Sequence, residues 1–302
     1  MKFAILGAGA VGCYYGAMLA RAGHGVTMIG RPAQVDAIRA HGLRVDAAAF
    51  QAAVPVRAVA DPGEAGPADI ALVCVKSTDT ESAGRALAPF LAADTAVFSF
   101  QNGVDNGDRL QAVLDRPVVP VAVYVAAEMI GPGHVRHHGR GDVVLGASPA
   151  SERFAAALNA AGVPAAVSDN VRESLWRKLM TNCCYNALSA VAQLPYGRLM
   201  ALPAVREVMR DVVDECLAVA RASGIVLAAD PLPEILAVAD AMSGQLSSTA
   251  QDLARGKVTE IEHLNGFVLR AGAARGIPTP ANRALYAMVK LAEIKAGHGP
   301  AG

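Results

Sequence analysis

Lys2-Phe3-Ala4-Ile5-Leu6-Gly7-Ala8-Gly9-Ala10-Val11-Gly12-Cys13-Tyr14-Tyr15-Gly16-Ala17-Met18-Leu19-Ala20 reads as a short apolar strand, a glycine-rich turn and a helix. G-x-G-x-x-G alone is a weak signal, because glycine-rich turns also occur in cores that hold no ligand. Here the strand before it and the helix after it supply the context a dinucleotide site needs. Gly7 permits the tight turn, Gly9 lets backbone approach a pyrophosphate, and Gly12 lets helix and strand pack closely, so that the helix N-terminus faces the anion. Gly7, Ala8, Gly9, Ala10, Val11 and Gly12 are the candidate cofactor-binding residues of this turn.

Working outward, the next apolar run, Gly25-Val26-Thr27-Met28-Ile29, ends in Gly30-Arg31. An enzyme reading the ribose 2′-hydroxyl of NAD places an acidic residue there, whereas a guanidinium suits the 2′-phosphate of NADP. No carboxylate precedes Asp36 in this part of the chain. Arg31 as a solvated strand-end charge is the alternative.

Further apolar runs at Ile70 to Val75, Thr95 to Phe100 and Val118 to Val125 alternate with helical patterns, the rhythm of βαβ units and a parallel sheet. His134 to Arg140, with Asp142 to Gly146, looks like a hairpin or edge ribbon closing that sheet. From Asn170 the pattern turns to long helical segments broken by Pro195, Pro203, Gly224, Pro231 and Gly276. Asn170 and Glu173 resemble a capping box at the boundary. The expectation is an α/β N-terminal Rossmann-like, doubly wound parallel sheet over 1–168. An all-helical second domain follows over 169–297, with a frayed tail at 298–302.

The 302 residues carry 27 Lys plus Arg against 27 Asp plus Glu, so no global field recruits nucleic acid or an anionic membrane. The apolar run from Val118 to Ile130 falls short of the ~20 residues of a membrane span and reads as a core strand. No cleavable leader precedes the glycine turn, which points to a cytoplasmic enzyme. The five cysteines form no C-x-x-C pair and read as buried free thiols. His134-x-x-His137-His138 has no carboxylate or thiol set beside it in sequence, so no metal site is expected.

Ligands of open parallel sheets bind at the carboxyl ends of the strands. Lys76 follows one such end and Asn102-Gly103 another, which makes Lys76 and Asn102 candidates for cofactor or substrate contact. A plain turn also explains Asn-Gly. In the second half, Lys178, Asn182 and Asn186 fall four residues apart along one side of a helix, bordering the apolar Leu175 and Leu179. Asparagine is a poor interior helix former, so something uses those amides, either a ligand or a neighbouring loop. Glu260 lies between Val258 and Ile261 in a helical spacing that turns it inward, where a carboxylate needs a partner such as Lys178.

These motifs, in this order, resemble the ketopantoate reductase family. The likeness rests on G-A-G-A-V-G at 7–12, Arg31, Lys76, Asn102-Gly103, L-W-R-K-L-x-x-N-C-x-x-N at 175–186, S-S-x-x-Q-D at 247–252 and T-E-I-E-H-L-N-G-F at 259–267, and it spans nearly the whole chain. It implies a Rossmann domain joined to a helical domain, with NADPH and a small 2-oxo acid held between them, and a place in pantoate synthesis. By that likeness Lys178 is the catalytic acid, and Glu260 holds Lys178 and binds the substrate hydroxyl. Asn182, Asn186 and Ser248 would position the substrate, Asn102 would bridge substrate and cofactor, and Arg31 and Lys76 would serve the cofactor. A homodimer stands as an expectation for which no residue argues. Two positions depart from the family pattern: Gln245, where an asparagine is often found, and Tyr196-Gly197, where Asn-Gly is common. Both bear on pocket shape. They keep open a rival reading as a 2-hydroxy-acid dehydrogenase acting on another branched 2-oxo acid. A non-catalytic NADP sensor is a further alternative, disfavoured by the presence of both Lys178 and Glu260.

Overall fold

In the computed structural model, which describes residues 1–298, ten strands and twelve α-helices account for most of the chain. The strands are β1 (Lys2–Leu6), β2 (Gly25–Ile29), β3 (Leu43–Ala47), β4 (Phe50–Val54), β5 (Arg57–Val59), β6 (Ile70–Val73), β7 (Ala96–Ser99), β8 (Val118–Gly131), β9 (His134–Gly146) and β10 (Ala165–Ser168). Five helices accompany them: α1 (Ala10–Arg21), α2 (Pro32–His41), α3 (Thr80–Leu87), α4 (Asn106–Leu114) and α5 (Ser151–Ala160). The rest is helical: α6 (Val171–Ala192), α7 (Tyr196–Leu199), α8 (Pro203–Ala222), α9 (Leu232–Ala241), α10 (Ser248–Ala254), α11 (Asn265–Ala273) and α12 (Pro280–Lys295). The chain divides into two compact units, one ending at Ser174 and one beginning at Leu175, so the division falls inside the first turns of α6.

In the first unit the strand order is β4-β3-β9-β8-β7-β6-β1-β2-β5, with β10 beside β9. From β5 to β8 every neighbour is parallel, and the order is that of a doubly wound nucleotide-binding sheet. Successive residues of β1 enter two cores: Phe3 and Ile5 pack with Leu19 and Phe154, Ala4 and Leu6 with Leu87 and Leu110. Helices cover both faces, which is why these strands read as unbroken apolar runs.

The expected closing ribbon differs from what is found. β9 pairs antiparallel with β8, yet β3 lies beyond it and β4 beyond that, so β9 is interior and the sheet is mixed. The 14 residues of β8 serve both parts, its start pairing with β7 and the remainder with β9. The three histidines sit on β9, not in a loop, and each has its own partner. His134 Nε2 lies 3.0 Å from Asp46 Oδ1, His137 Nε2 2.7 Å from the Arg140 carbonyl and His138 Nε2 3.0 Å from Glu128 Oε1. Carboxylates absent from the local sequence thus arrive from β3 and β8. Among the described residues no group of three or more His, Cys, Asp or Glu side chains is arranged to hold a metal ion.

In the second unit α6 is the central element. Leu175, Trp176, Leu179, Met180, Cys183, Cys184, Tyr185, Ala187 and Ala190 are all buried, on one side of the first half of the helix and on successive positions from Cys183 to Ala187. Its start carries the expected Asn170–Glu173 pair in altered form: Asn170 Nδ2 donates to Glu173 Oε2 at 3.2 Å, and the Glu173 amide donates to the Asn170 backbone carbonyl at 3.1 Å. The cysteines are free thiols, four of them buried and Cys74 half-buried. The tail expected from 298 onward falls mostly outside the described residues. His298 itself is fastened, its amide donating to the Glu293 carbonyl at 3.0 Å and its ring lying 2.9 Å from the Gly256 carbonyl. No described helix is long and apolar enough to cross a membrane.

Candidate active site

The first unit offers a cradle at the carboxyl ends of β1 and β6, where the strand order reverses. Gly7 has φ 111°, and a Cβ there would stand 2.7 Å from the Cys74 carbonyl carbon. At Gly12 a Cβ would stand 2.1 Å from the Gly7 carbonyl oxygen, so helix and strand touch backbone to backbone. Gly9 is different, for a Cβ there would meet nothing within 4 Å. That open space lies at the N-cap of α1, whose first turn holds no acidic residue and whose cap has no side chain. Helix-start amides lack intrahelical acceptors and carry the positive end of the helix dipole, so this chain's residues fit an anionic pyrophosphate. Gly30 belongs to the same close packing, because a Cβ on it would lie 2.6 Å from Ala8 Cβ.

Arg31 stands at the N-cap of α2 with extended backbone and no capping bond from its side chain, which is 88% exposed and brings Nη2 to 3.7 Å from Asp79 Oδ2. Sequence reading missed Asp79, which is remote from Arg31 along the chain and reaches it only because β6 and β2 flank β1. An exposed pair of this kind is weak and leaves the guanidinium available to a stronger anion.

The loops that carry the candidates Lys76 and Asn102 are joined by a buried polar network that sequence reading also missed. Ser77 Oγ donates to the Asn102 carbonyl at 2.9 Å, joining the two strand-end loops. Asn106 Nδ2 donates to that same carbonyl and to Ser77 Oγ. Gln101 Nε2 donates to Thr80 Oγ1 at 2.7 Å and to the Val75 carbonyl at 3.2 Å. Arg109 adds a bond to the Ser77 carbonyl at 2.9 Å while gripping Glu81 through two nitrogens. Ser77, Thr80, Gln101 and Asn106 are all at least nine-tenths buried. Satisfied networks of this kind rigidify the loops they join. The one signal in the sequence was the four-residue spacing of Asn102 and Asn106.

The second unit carries the other candidates. Along α6, Lys178 and Asn182 are half-buried and Asn186 is buried, so the polar stripe deepens towards the C-terminus of the helix. Ser248 begins α10 and is exposed, whereas its neighbour Ser247 is the N-cap and fully buried. Ser247 Oγ accepts from the Ala250 amide at 3.0 Å and donates to the Asn186 carbonyl at 3.3 Å, which fastens the start of α10 to α6. Glu260 is not on a helix: it precedes a single 3-10 turn, Ile261–His263, and Val258 is 48% exposed. Asn265 Nδ2 donates to the Cys183 carbonyl at 3.2 Å, tying the segment after Glu260 to α6.

The two departures from the family pattern lie together. The Tyr196 amide donates to the Gln245 carbonyl at 3.0 Å and the Gly197 amide to the Ser243 carbonyl at 3.0 Å. The Tyr196 ring tilts against Tyr185, centroids 4.5 Å apart. A Cβ on Gly197 would stand 2.9 Å from Ser243 Cβ, which leaves only glycine at that approach.

A doubly wound sheet with a glycine cradle, followed by a helical unit bearing a lysine and asparagine stripe, defines a nicotinamide-dependent class of oxidoreductase. Two family models match in succession: "Ketopantoate reductase PanE/ApbA" over residues 3–150 and its C-terminal counterpart over 170–293. The chain belongs to the ketopantoate reductase family. A 2-dehydropantoate 2-reductase of Archaeoglobus fulgidus is 33% identical over 294 residues, covering 96% of this chain and 97% of that protein. The crystal structure of a PanE/ApbA family ketopantoate reductase from Ralstonia eutropha is 56% identical with a TM-score of 0.95, covering 99% of this chain and 100% of the other. D-mandelate dehydrogenase, solved with NADH and anilino(oxo)acetate, is 26% identical with a TM-score of 0.91 over 99% of this chain and 100% of its own.

Proposed function

We propose that this chain reduces 2-dehydropantoate to pantoate with NADPH. The observation that carries the reading is the end-to-end match to 2-dehydropantoate 2-reductases, in a chain that keeps Lys178 and Glu260 on the helical unit and the glycine cradle on the other. Bound at that cradle, the reduced nicotinamide would supply a hydride to the C2 carbonyl carbon. Lys178 Nζ donates to the carbonyl oxygen, neutralising the charge that grows there and giving up a proton as the alcohol forms. Glu260 orients Lys178 and accepts from the substrate hydroxyl. Asn182, Asn186 and Ser248 position the carboxylate end, and Asn102 spans substrate and ribose. Gly7, Ala8, Gly9, Ala10, Val11 and Gly12 receive the pyrophosphate, with Lys76 beside it.

Coenzyme choice rests on Arg31. A 2′-phosphate brings more charge than Asp79 and three acceptor oxygens, so it displaces the exposed ion pair and takes the guanidinium. Arg31→Ala is expected to raise the NADPH dissociation constant about 10- to 100-fold, the scale of one charge-assisted hydrogen bond, with NADH binding nearly unchanged. Titration of both coenzymes by quenching of intrinsic fluorescence checks this, and equal losses for the two remove Arg31 from the role.

The second reading is a dehydrogenase for another branched 2-oxo acid. It is favoured by Tyr196 and Gln245 in place of the usual residues and by the likeness to D-mandelate dehydrogenase. Loss of NADPH absorbance with 2-dehydropantoate, set against branched 2-oxo acids lacking the 4-hydroxyl, separates the two. Preference for 2-dehydropantoate supports the first reading; preference for the others keeps the cofactor and Lys178 and moves the substrate.

A further inference from the structure

Glu293 is a carboxylate with no part in the proposed reaction. This carboxylate sits on α12 with 1% of its surface exposed. A charge buried that deeply persists only where it is paired and hydrogen-bonded. Its partners are specific. Glu293 Oε1 accepts from the Thr259 amide at 2.8 Å and from Thr259 Oγ1 at 2.6 Å, and Oε2 accepts from Lys290 Nζ. Thr259 Oγ1 in turn accepts from the Ile261 amide at 3.2 Å. Burial by itself raises this carboxyl, but the bonds from Lys290 and from the Thr259 hydroxyl and amide outweigh it and hold the group below its ordinary range.

The arrangement fixes the main chain on both sides of one residue, Glu260. Before it, the Thr259 amide is bound directly by Glu293; after it, the Ile261 amide is bound by the same Thr259 hydroxyl that Glu293 holds. Glu260 stands between them at φ −93° and ψ 16°, at the head of a single 3-10 turn. So short a turn has little stiffness of its own. We propose that Glu293 is a positioning residue, which through Thr259 sets the backbone of Glu260 and so the place of its carboxylate against the substrate. This rests on the reading of Glu260 as the substrate-hydroxyl and lysine partner.

Burial and bond count do not distinguish a positioning role from a plain stabilising one, but coupling does. Thr259→Val keeps the shape and removes the hydroxyl; Glu293→Gln keeps the shape and removes the charge. Each is expected to lower kcat/KM for the 2-oxo acid about tenfold, mostly through KM, with NADPH affinity within twofold of the parent, and Thr259→Ser recovers most of the loss. The scale is that of one hydrogen bond on the reaction path.

The deciding measurement is a double-mutant cycle with Glu260→Gln, in the full-length protein. If Glu293 and Thr259 act through Glu260, Thr259→Val costs little more once Glu260 is already changed. Equal losses in both backgrounds overturn the proposal and leave Thr259 a structural residue. If Glu260→Gln itself leaves KM and kcat untouched, the reading of Glu260 falls, and this proposal falls with it. Should Glu293→Gln fail to fold, the cycle with Thr259→Val decides alone.

Discussion

Lys178→Ala is expected to lower turnover about 10²-fold or more, the scale for removing a positioned acid, while NADPH affinity and melting temperature stay near the parent values. α6 is buried along most of its length, and alanine is the best helix former, so the element survives the substitution. The Lys178 side chain is half-buried, so its loss opens no closed core cavity. What is lost, on the proposed mechanism, is an ammonium beside the carbonyl oxygen when charge develops on it. An interaction made chiefly in the transition state lowers kcat and kcat/KM together. A rise in KM alone would instead make Lys178 a residue that merely holds substrate. Lys178→Arg refines the result, because a guanidinium keeps the charge but does not release a proton near neutral pH. Partial recovery by arginine favours electrostatic stabilisation, and none favours proton donation. Near-native turnover in Lys178→Ala ends the assignment.

What the sequence made legible was local or periodic. The β1 turn and α1 are written in the four adjacent glycine and alanine positions Gly7 to Ala10 and in Gly12, and the α6 stripe in three residues four apart. Both are found where the spacing placed them. The β3–β4 hairpin was illegible because its turn at Ala48-Ala49 carries no glycine, proline or asparagine, and alanine-rich strands lack the β-branched signal. Missing it misplaced β9 at an edge. The spacing of Glu260 from Ile261 and Leu264 fits a helix, but a 3-10 turn offers the same short-range pattern. Asp79 beside Arg31, and Glu293 beside Thr259, depend on chain segments far apart in sequence, which no local periodicity encodes. The family likeness supplied roles for Lys178 and Glu260 but was silent on what holds the latter in place.

The glycines of the cradle give the other large effect, and they separate a ligand site from a tight core. Gly12→Ala puts a methyl 2.1 Å from the Gly7 carbonyl oxygen, and neither partner is a side chain that can swing away. Helix α1 has to shift from β1, so the expected cost is at least the 1–3 kcal/mol typical of an overpacked core, or about 2–4 °C in melting temperature per kcal/mol for a unit the size of Met1–Ser174. Coenzyme binding falls with it. Gly9→Ala is the contrast. Its φ of −88° suits any residue and a Cβ there meets no atom within 4 Å, so the unliganded protein should melt within a degree or two of the parent. Yet the added methyl stands where a pyrophosphate would approach the backbone. NADPH affinity is therefore expected to drop about tenfold or more, 1.4 kcal/mol on the affinity scale. Differential scanning calorimetry with and without NADPH reads both quantities in one experiment, because a ligand that binds only the folded state raises its melting temperature. A Gly9→Ala protein that melts normally but loses the NADPH-induced rise places the coenzyme at this turn. One that keeps the full rise means the open space beside Gly9 is not where the pyrophosphate lies.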